Sequence, residues 1–256
     1  MEMFTEDLDL AWQRYLESGG FPRAVAEHHQ SSDVSHDFLG DLAAWLSADV
    51  DPEAPRESVP LLLAELQARG CSPLNVTHVA TALDMTRRSL TTRLNRLVAT
   101  FAAIWCPHLN DAGRRISGSQ AKFYFSDPVL AWIGPRLRPG LPAPDFTTLN
   151  EAAVGIALAR ALEAASPGRL TSADTVGYVR TSTGKEVDFA PVPFATQHGD
   201  RPTVPIESKW VSSGWRGESK VIEAKYGRGI VATKSVTDVS SSVWAVPAPA
   251  LALLLG

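Results

Sequence analysis

Residues 181–211, TSTGKEVDFAPVPFATQHGDRPTVPIESKWV, decide the fold of the C-terminal part of the chain. Gly184-Lys185 does not belong to a phosphate-binding loop, because that loop requires Gly-x-x-x-x-Gly-Lys-Ser/Thr and Glu186 follows the lysine here. The pair instead predicts a hairpin turn between the strands YVRTS and EVDFA. We therefore expect no nucleotide-binding site, and no ATPase activity from this chain alone.

Charged residues follow this turn on two predicted strands. Side chains alternate along a strand, so Glu207 and Lys209 share one face. If the two strands pair, Asp188 approaches Glu207, with Lys209 beside them. Two carboxylates held close together are costly unless a cation lies between them, and Mg²⁺ prefers oxygen ligands of this kind. We predict that Asp188 and Glu207 bind Mg²⁺, while Lys209 orients a water or holds a negatively charged phosphate oxygen.

A further carboxylate, Glu151, lies near the start of the helix that precedes these strands. A helical Glu, a strand Asp and Glu-x-Lys on the next strand follow one another in the chain. This order predicts the catalytic residues Glu151, Asp188, Glu207 and Lys209 of a metal-dependent nuclease. A second interpretation remains open, in which the charges form an ordinary ion-pair cluster on a half-exposed sheet.

The elements around this site predict a mixed sheet. From residue 147 the order is a helix (TTLNEAAVGIALARALEAA), three strands (TVGYVRTS, KEVDFAPV, VPIESKWV), a helix (RGESKVIEAKYG), two strands (GIVATKS, SVWAVPA) and a short helix (PALALLL). Three strands in a meander, then a crossover helix and a further strand, indicate an α/β sandwich. Four prolines between residues 135 and 144 mark the domain boundary in front of it.

The sequence of the N-terminal part predicts several helices and a pair of short strands. One helix is predicted to end at Gly19-Gly20 and another to begin at Pro22, because glycine is common just after a helix and proline at its first position. Residues 47–58, SADVDPEAPRES, predict a linker. Three helical patterns follow (VPLLLAELQARG, NVTHVATALDM, RRSLTTRLNRLVAT), and then two strands, TFAAIWCPHL and AKFYFSD, on either side of a basic turn. Three helices and a two-stranded wing are typical of a winged helix.

Positive charge is concentrated in this winged-helix region. Residues 85–125 contain one acid, Asp111, and seven cations: Arg87, Arg88, Arg93, Arg96, Arg114, Arg115 and Lys122. A local basic face can bind phosphates although the whole chain carries a net charge of −4. We predict that Arg87, Arg88, Arg93 and Arg96 contact DNA. The alternative is a helical bundle whose arginines only solubilise it.

The composition is that of an ordinary soluble protein. The chain has 256 residues, of which 45% are hydrophobic and 20% charged. The longest apolar run, AVPAPALALLL, is too short to span a bilayer, and the acidic N-terminus is not that of a signal peptide. Cys71 and Cys106 have no neighbours at metal-binding spacing. We expect a reduced, cytoplasmic protein without a membrane partner.

Several segments, taken in order, resemble one known family. They are YLESGGFPRAV, AKFYFSDPVLAW, LNEAAVGIALARAL, GKEVDFA and PIESKWV, with the winged-helix pattern between the first two. In this order they resemble the C-terminal portion of prokaryotic AAA-type ATPases that carry the domain of unknown function 4143 (DUF4143). The chain lacks the phosphate loop of the ATPase module that relatives carry upstream.

The resemblance implies three parts. Residues 1–50 would be a helical segment like the end of an ATPase lid, residues 51–134 a winged-helix-like domain, and residues 145–256 a restriction-endonuclease-like domain of the PD-(D/E)XK type. Carried over to this chain, Glu151 matches the helical Glu, Asp188 the metal-binding Asp, and Glu207 with Lys209 the Glu-x-Lys pair. The partners implied are DNA and a separate AAA-type ATPase subunit.

Two functions follow from the residues and the resemblance together. The first is a DNA-associated protein whose nuclease-like domain cleaves phosphodiesters with Mg²⁺. The second is a non-catalytic module that docks onto DNA or an ATPase, the detached tail of such a machine. Binding of a metal at Asp188 and Glu207 would separate the two.

Overall fold

A computed structural model describes residues 5–53, 55, 57–165, 176–193 and 203–255. The fold is mixed α/β, as the sequence predicts. The chain divides into two compact units, each assembled from separate segments. The helical unit comprises Gln13–Ile104 and Lys122–Ala152, and the sheet unit comprises Met1–Trp12, Trp105–Ala121 and Ala153–Gly256.

Helices dominate the first 137 residues. They are α1 (Thr5–Ser18), α2 (Pro22–Ser31), α3 (His36–Val50), α4 (Ser58–Gln67), α5 (Val76–Ala82), α6 (Arg87–Ala99) and α7 (Val129–Leu137). The strands β1 (Ala103–Cys106) and β2 (Lys122–Phe125) lie between α6 and α7 and form a two-stranded sheet. The predicted order of three helices and two paired strands, α4 to β2, is thus confirmed. No helix within the described ranges is long and apolar enough to cross a membrane.

The turn between α1 and α2 is built around the carboxylate of Asp127. Gly19 has a φ of +72°, which side chains other than hydrogen rarely allow. Gly20 N–H donates to Asp127 Oδ2 at 2.9 Å, and Val129 N–H donates to Asp127 Oδ1 at 2.9 Å. A Cβ at position 19 would overlap the same carboxylate. Both the backbone conformation and the packing therefore require glycine at position 19.

Helix α3 extends into the segment that the sequence predicts as a linker, so the prediction for residues 47–50 is wrong. Ser35 caps the helix, since its side chain accepts from Phe38 N–H. At the other end, Ser47 Oγ donates to the carbonyl of Ala43 at 2.7 Å, and Val50 is fully buried. Apolar positions at helical spacing, rather than the polar composition of SADV, decide where the helix ends.

The sheet unit contains a four-stranded mixed sheet. After α8 (Phe146–Ala165) and a hairpin of β3 (Val179–Arg180) and β4 (Glu186–Val187) come β5 (Phe189–Pro193), β6 (Thr203–Ser208), α9 (Lys220–Tyr226), β7 (Gly229–Thr233), β8 (Val243–Pro247) and α10 (Ala248–Leu255). The strand order is β5-β6-β7-β8. The β5–β6 pair is antiparallel and the β6–β7 and β7–β8 pairs are parallel. The predicted mixed sheet with its crossover helix, α9, is confirmed. The first predicted strand of the meander, TVGYVRTS, instead pairs with β4 in a separate two-stranded sheet.

One predicted strand is divided at Asp188. The hairpin strand β4 ends at Val187 and pairs with β3, whereas β5 begins at Phe189 and pairs with β6. The side chains of Val187 and Phe189 are fully buried. Asp188 therefore lies at a bend between two buried apolar anchors, which hold its backbone in one position.

A short segment from the middle of the chain completes the sheet unit. Leu109 N–H donates to the carbonyl of Tyr178 at 2.8 Å, and Tyr178 N–H donates to the carbonyl of Pro107 at 3.0 Å. The rings of His108 and Tyr178 stack with centroids 4.9 Å apart. Leu109 is buried in the same apolar cluster as Val187 and Val231. Residues about 70 positions apart thus share one core.

Candidate functional site

Asp188, Glu207 and Lys209 meet at the junction of β4, β5 and β6. Lys209 Nζ lies 2.9 Å from Glu207 Oε1. Asp188 N–H donates to Glu207 Oε2 at 3.3 Å, and Ser208 N–H donates to Asp188 Oδ2 at 3.0 Å. The carboxylate of Asp188 thus accepts a main-chain hydrogen bond from β6, the strand that carries Glu207. The carboxylate of Glu207 accepts one from the main chain of Asp188. These main-chain hydrogen bonds help to fix both carboxylates in position.

The local sequence explains why these side chains converge. Phe189 and Ile206 face each other in the antiparallel register, so Asp188 and Glu207 each lie one residue from that pair. Alternation then places Lys209 on the same side of the chain as Glu207. Ser208 pairs with Ala232 of β7, and Lys209 N–H donates to the carbonyl of Ala232 at 2.8 Å. The parallel neighbour holds the Glu-x-Lys segment in place.

Burial and charge together change the protonation of this cluster. Asp188 and Glu207 are only 5% and 6% exposed. Burial and the neighbouring charge of Asp188 raise the pKa of Glu207 to about 7, against the opposing attraction of Lys209. Burial lowers the pKa of Lys209, but attraction by Glu207 and Asp188 outweighs it, so the pKa of this lysine is raised. Glu207 therefore changes charge near neutral pH while Lys209 stays protonated.

The donor set of this cluster fits a hard divalent cation. Mg²⁺ keeps several waters and binds through one or two carboxylates together with phosphates of a substrate. Asp188 and Glu207 supply two such carboxylates, and a cation would relieve the repulsion that raises the pKa of Glu207. The described residues contain no group of three or more His, Cys, Asp and Glu side chains suited to a metal. Water or phosphate would have to complete the coordination.

Glu151, the fourth predicted catalytic residue, lies in the helical unit. Its Oε1 accepts from Lys122 Nζ at 2.8 Å and from the Tyr124 hydroxyl at 2.7 Å. Lys122 is fully buried and Glu151 is 7% exposed. Lys122 and Tyr124 lie two residues apart on β2 and so share one face of it, a signal that the sequence contained and that the prediction missed. The contacts of Glu151 are those of a buried ion pair.

The burial of Lys122 corrects the predicted basic face. Lys122 is fully buried against Glu151, so it is not one of the surface cations of the winged-helix region. Sequence reasoning counted it among them because a lysine is rarely buried without a partner, and the partner lies 29 residues away. Arg114 and Arg115 are exposed, as predicted.

The four arginines of α6 fall into two pairs. Arg93 forms an ion pair with Asp51, and its side chain is 15% exposed. Arg96 donates to the carbonyl of Val50 at 2.9 Å, at the C-terminal end of α3, where a cation is favourable. Arg87 and Arg88 are exposed, and neither forms an ion pair with the described residues. Two of the four predicted DNA contacts therefore have structural partners within the protein.

The predicted turn at Gly184-Lys185 is confirmed. Gly184 has a φ of +81°, and its N–H donates to the carbonyl of Thr181 at 2.9 Å. Lys185 N–H donates to Thr181 Oγ1 at 3.0 Å. The backbone donors of Gly184 and Lys185 are thus used within the hairpin, unlike those of a loop that encloses phosphates.

The fold and the site define a mixed α/β protein with a buried pair of carboxylates and a lysine where β4, β5 and β6 meet. Residues 9–133 match a protein family described as "Domain of unknown function (DUF8612)". The match covers slightly less than half of the chain and ends before Glu151 and the Asp188 cluster. Comparison with curated proteins gave no match, and comparison with solved structures gave none.

Proposed function

We propose that the sheet unit is a metal-dependent phosphodiesterase that cleaves DNA at Asp188, Glu207 and Lys209. The observation that supports this proposal is the convergence of two buried carboxylates with a lysine ammonium 2.9 Å from one of them. Asp188 and Glu207 would hold Mg²⁺. The bound ion would supply a Lewis acid and an activated water.

Each of the three residues has a separate role in this proposal. Asp188 is fixed by Ser208 N–H and keeps its carboxylate on the sheet edge where the ion would bind. Glu207 provides the second oxygen ligand. Lys209 stays protonated and provides a positive charge and hydrogen-bond donors, which suit the negative oxygens of a phosphoryl group in the transition state.

Cleavage of DNA by the purified chain tests the proposal. Wild type is compared with Asp188→Ala and Lys209→Ala in Mg²⁺ and in EDTA. The proposal expects Mg²⁺-dependent cleavage, reduced by roughly 100-fold or more in both variants, as for removal of a charge-stabilising group. Glu186→Gln is a matched control, because Glu186 lies two residues from Asp188 and pairs with Arg180 at 3.3 Å. Equal activity in all four proteins would identify a contaminating nuclease and refute the proposal.

A second function, a non-catalytic docking module, is supported by the same contacts. Glu207 already has a cationic partner in Lys209, and Asp188 accepts a main-chain N–H. A cluster satisfied in this way is stable without a metal. Calorimetric titration with Mg²⁺ and Mn²⁺ that gives no heat at the Asp188 cluster, together with no cleavage, would favour this function.

We further propose that the chain is related to the C-terminal portion of AAA-type ATPases with the DUF4143 domain. The support is the order of the segments and of the elements α8, β3 to β6, α9 and β7. A separate ATPase subunit is then the partner to test. If the reading frame directly upstream encodes a Walker-type ATPase, co-purification of the two products is expected. If no ATPase is encoded upstream and no ATPase co-purifies with the chain, the proposed relationship to the AAA-type ATPases would be contradicted.

A further inference from the structure

A cleft in the sheet unit lies between the β3–β4 turn and α9. Its volume is about 510 Å³. Residues 181–183 supply three hydroxyl side chains, Lys185 follows them in the turn, and α9 contributes Lys220 and Lys225 with two small apolar side chains, Val221 and Ala224. The described lining therefore contains three ammonium groups and no carboxylate.

The charges of the cleft select an anionic ligand. Lys185 and Lys220 are exposed, so a ligand that enters the cleft from solvent can contact both ammonium groups. Lys225 Nζ pairs with Asp111 at 2.5 Å, but the Asp111 side chain is 79% exposed. A pair with so exposed a partner contributes little stability and can exchange for a phosphate oxygen. Lysine ammonium groups donate hydrogen bonds and accept none, which matches the acceptor-only oxygens of a phosphate.

The shape of the cleft is fixed by both of its walls. Gly184 and Lys185 donate main-chain hydrogen bonds to Thr181, which makes the turn a closed loop. Lys220 and Ala224 lie four residues apart on α9 and so share one face of the helix. Because Ala224 is small, the space beside Lys220 stays open. A ligand would meet a preformed surface, which lowers the entropy cost of binding.

The cleft and the Asp188 cluster belong to one continuous hairpin. Lys185 precedes Asp188 by three residues, so the two Cα atoms are at most about 10 Å apart along an extended chain. A strand of B-DNA carries one phosphate per about 3.4 Å of axis, so this distance corresponds to roughly three nucleotides. We propose that the cleft binds the phosphodiester backbone of a DNA strand, and that a phosphate about three nucleotides further along the same strand lies at Asp188. The position of that phosphate rests on the proposed function, whereas binding in the cleft does not.

Binding of fluorescein-labelled DNA of about 12 nucleotides, single-stranded and as a duplex, tests the cleft. The full chain is titrated in EDTA, where no metal-dependent cleavage occurs, over a range of salt concentrations. The variant Lys185→Gln/Lys220→Gln removes two positive charges from the cleft. The matched control, Arg14→Gln/Arg160→Gln, removes two from exposed positions on α1 and α8. Thermal unfolding verifies that all proteins are folded.

The expected result is about tenfold weaker DNA binding by the lysine variant, with the slope of log K against log salt reduced by about 2. The arginine control is expected to bind as wild type does. The proposal is overturned if wild type does not bind DNA, if the two variants behave alike, or if RNA of the same sequence binds and DNA does not. Inorganic phosphate at millimolar concentration is expected not to displace the DNA; displacement would assign the cleft to a free anion instead.

The two proposals fail in different ways. Lysine-dependent binding in EDTA without any Mg²⁺-dependent cleavage would uphold the cleft and refute the phosphodiesterase. Cleavage that needs Asp188 but is unchanged in Lys185→Gln/Lys220→Gln would refute the cleft and uphold the phosphodiesterase.

Discussion

The ammonium nitrogen of Lys209 lies 2.9 Å from Oε1 of Glu207, two residues before it in the chain. Lys209 stabilises the ionised form of Glu207, while burial and Asp188 favour the neutral form. The balance leaves the pKa of Glu207 at about 7 instead of 4.5. The charge of the cluster therefore depends on pH in the physiological range.

The free energy of unfolding should fall as pH rises through the window from 4.5 to about 7. In this window the folded chain holds a proton on Glu207 that the unfolded chain has released, so raising the pH favours unfolding. Urea unfolding of wild type and Glu207→Gln at several pH values measures the effect. The stability of wild type relative to the variant is expected to decrease by about 1–3 kcal/mol across the window. A difference that does not change with pH would contradict the raised pKa.

Mg²⁺ should stabilise wild type near pH 8 and not near pH 5. A carboxylate must be ionised to bind a metal, and a ligand that binds only the folded chain raises its stability. Thermal unfolding with millimolar Mg²⁺ should shift upward by a few degrees at the higher pH only. Asp188→Asn should lose the shift, and Glu186→Gln should keep it. The same shift in Asp188→Asn would place the ion elsewhere.

Gly19→Ala should destabilise the helical unit by at least about 2 kcal/mol, because it combines a positive φ with overlap of a side chain. Gly40→Ala is the matched control. Gly40 lies inside α3, and a Cβ there would meet nothing within 4 Å. This change should stabilise the protein by about 0.5–1 kcal/mol. Equal effects in denaturant unfolding would contradict the role of the Asp127 carboxylate.

Arg93→Ala should reduce stability by about 1 kcal/mol, because it removes the ion pair with Asp51. Arg87→Ala/Arg88→Ala should leave stability within about 0.5 kcal/mol, since both side chains are exposed. If α6 binds DNA, the double variant weakens binding and reduces its salt dependence. Unfolding curves and DNA titrations on the same samples separate structural from binding effects. Unchanged DNA binding by the double variant would leave α6 with a structural role.

Glu151→Ala should cost about 3–5 kcal/mol of stability, because it removes a counter-charge from the fully buried Lys122. Glu65→Ala, which removes the ion pair between Glu65 on α4 and Arg69 just beyond the end of that helix, should cost less than about 1 kcal/mol. Both values come from denaturant unfolding. A Glu151→Ala protein as stable as wild type but inactive in cleavage would instead give Glu151 the predicted catalytic role.

The parts of the site that the sequence predicts correctly follow from local rules. Alternation along a strand brings Glu207 and Lys209 to one face, and pairing of adjacent strands brings Asp188 to them. The turn at Gly184 follows from the conformational freedom of glycine. The bend at Asp188 follows from no such rule, since it depends on β4 and β5 pairing with different strands.

Contacts between distant residues account for what the sequence does not predict. Arg93 pairs with Asp51 and Lys122 with Glu151, 42 and 29 residues away. Nothing in the spacing of charges distinguishes Arg93 from the exposed Arg87 and Arg88. Helix α3 was foreseeable in part, because its buried residues Leu39, Leu42, Leu46 and Val50 recur at helical spacing.

The segment around Leu109 has a practical consequence for dissecting the protein. A fragment that begins at residue 145 would contain Asp188, Glu207 and Lys209 but would lack His108 and Leu109, which pair with and pack near Tyr178. Gly177 is packed so closely against Leu109 that no side chain fits there, so loss of the leucine would open a void in the core. Residues 105–121 and the first twelve residues, which also belong to this unit, would be missing from such a fragment. A shortened protein that keeps the core of the sheet unit therefore has to retain both segments.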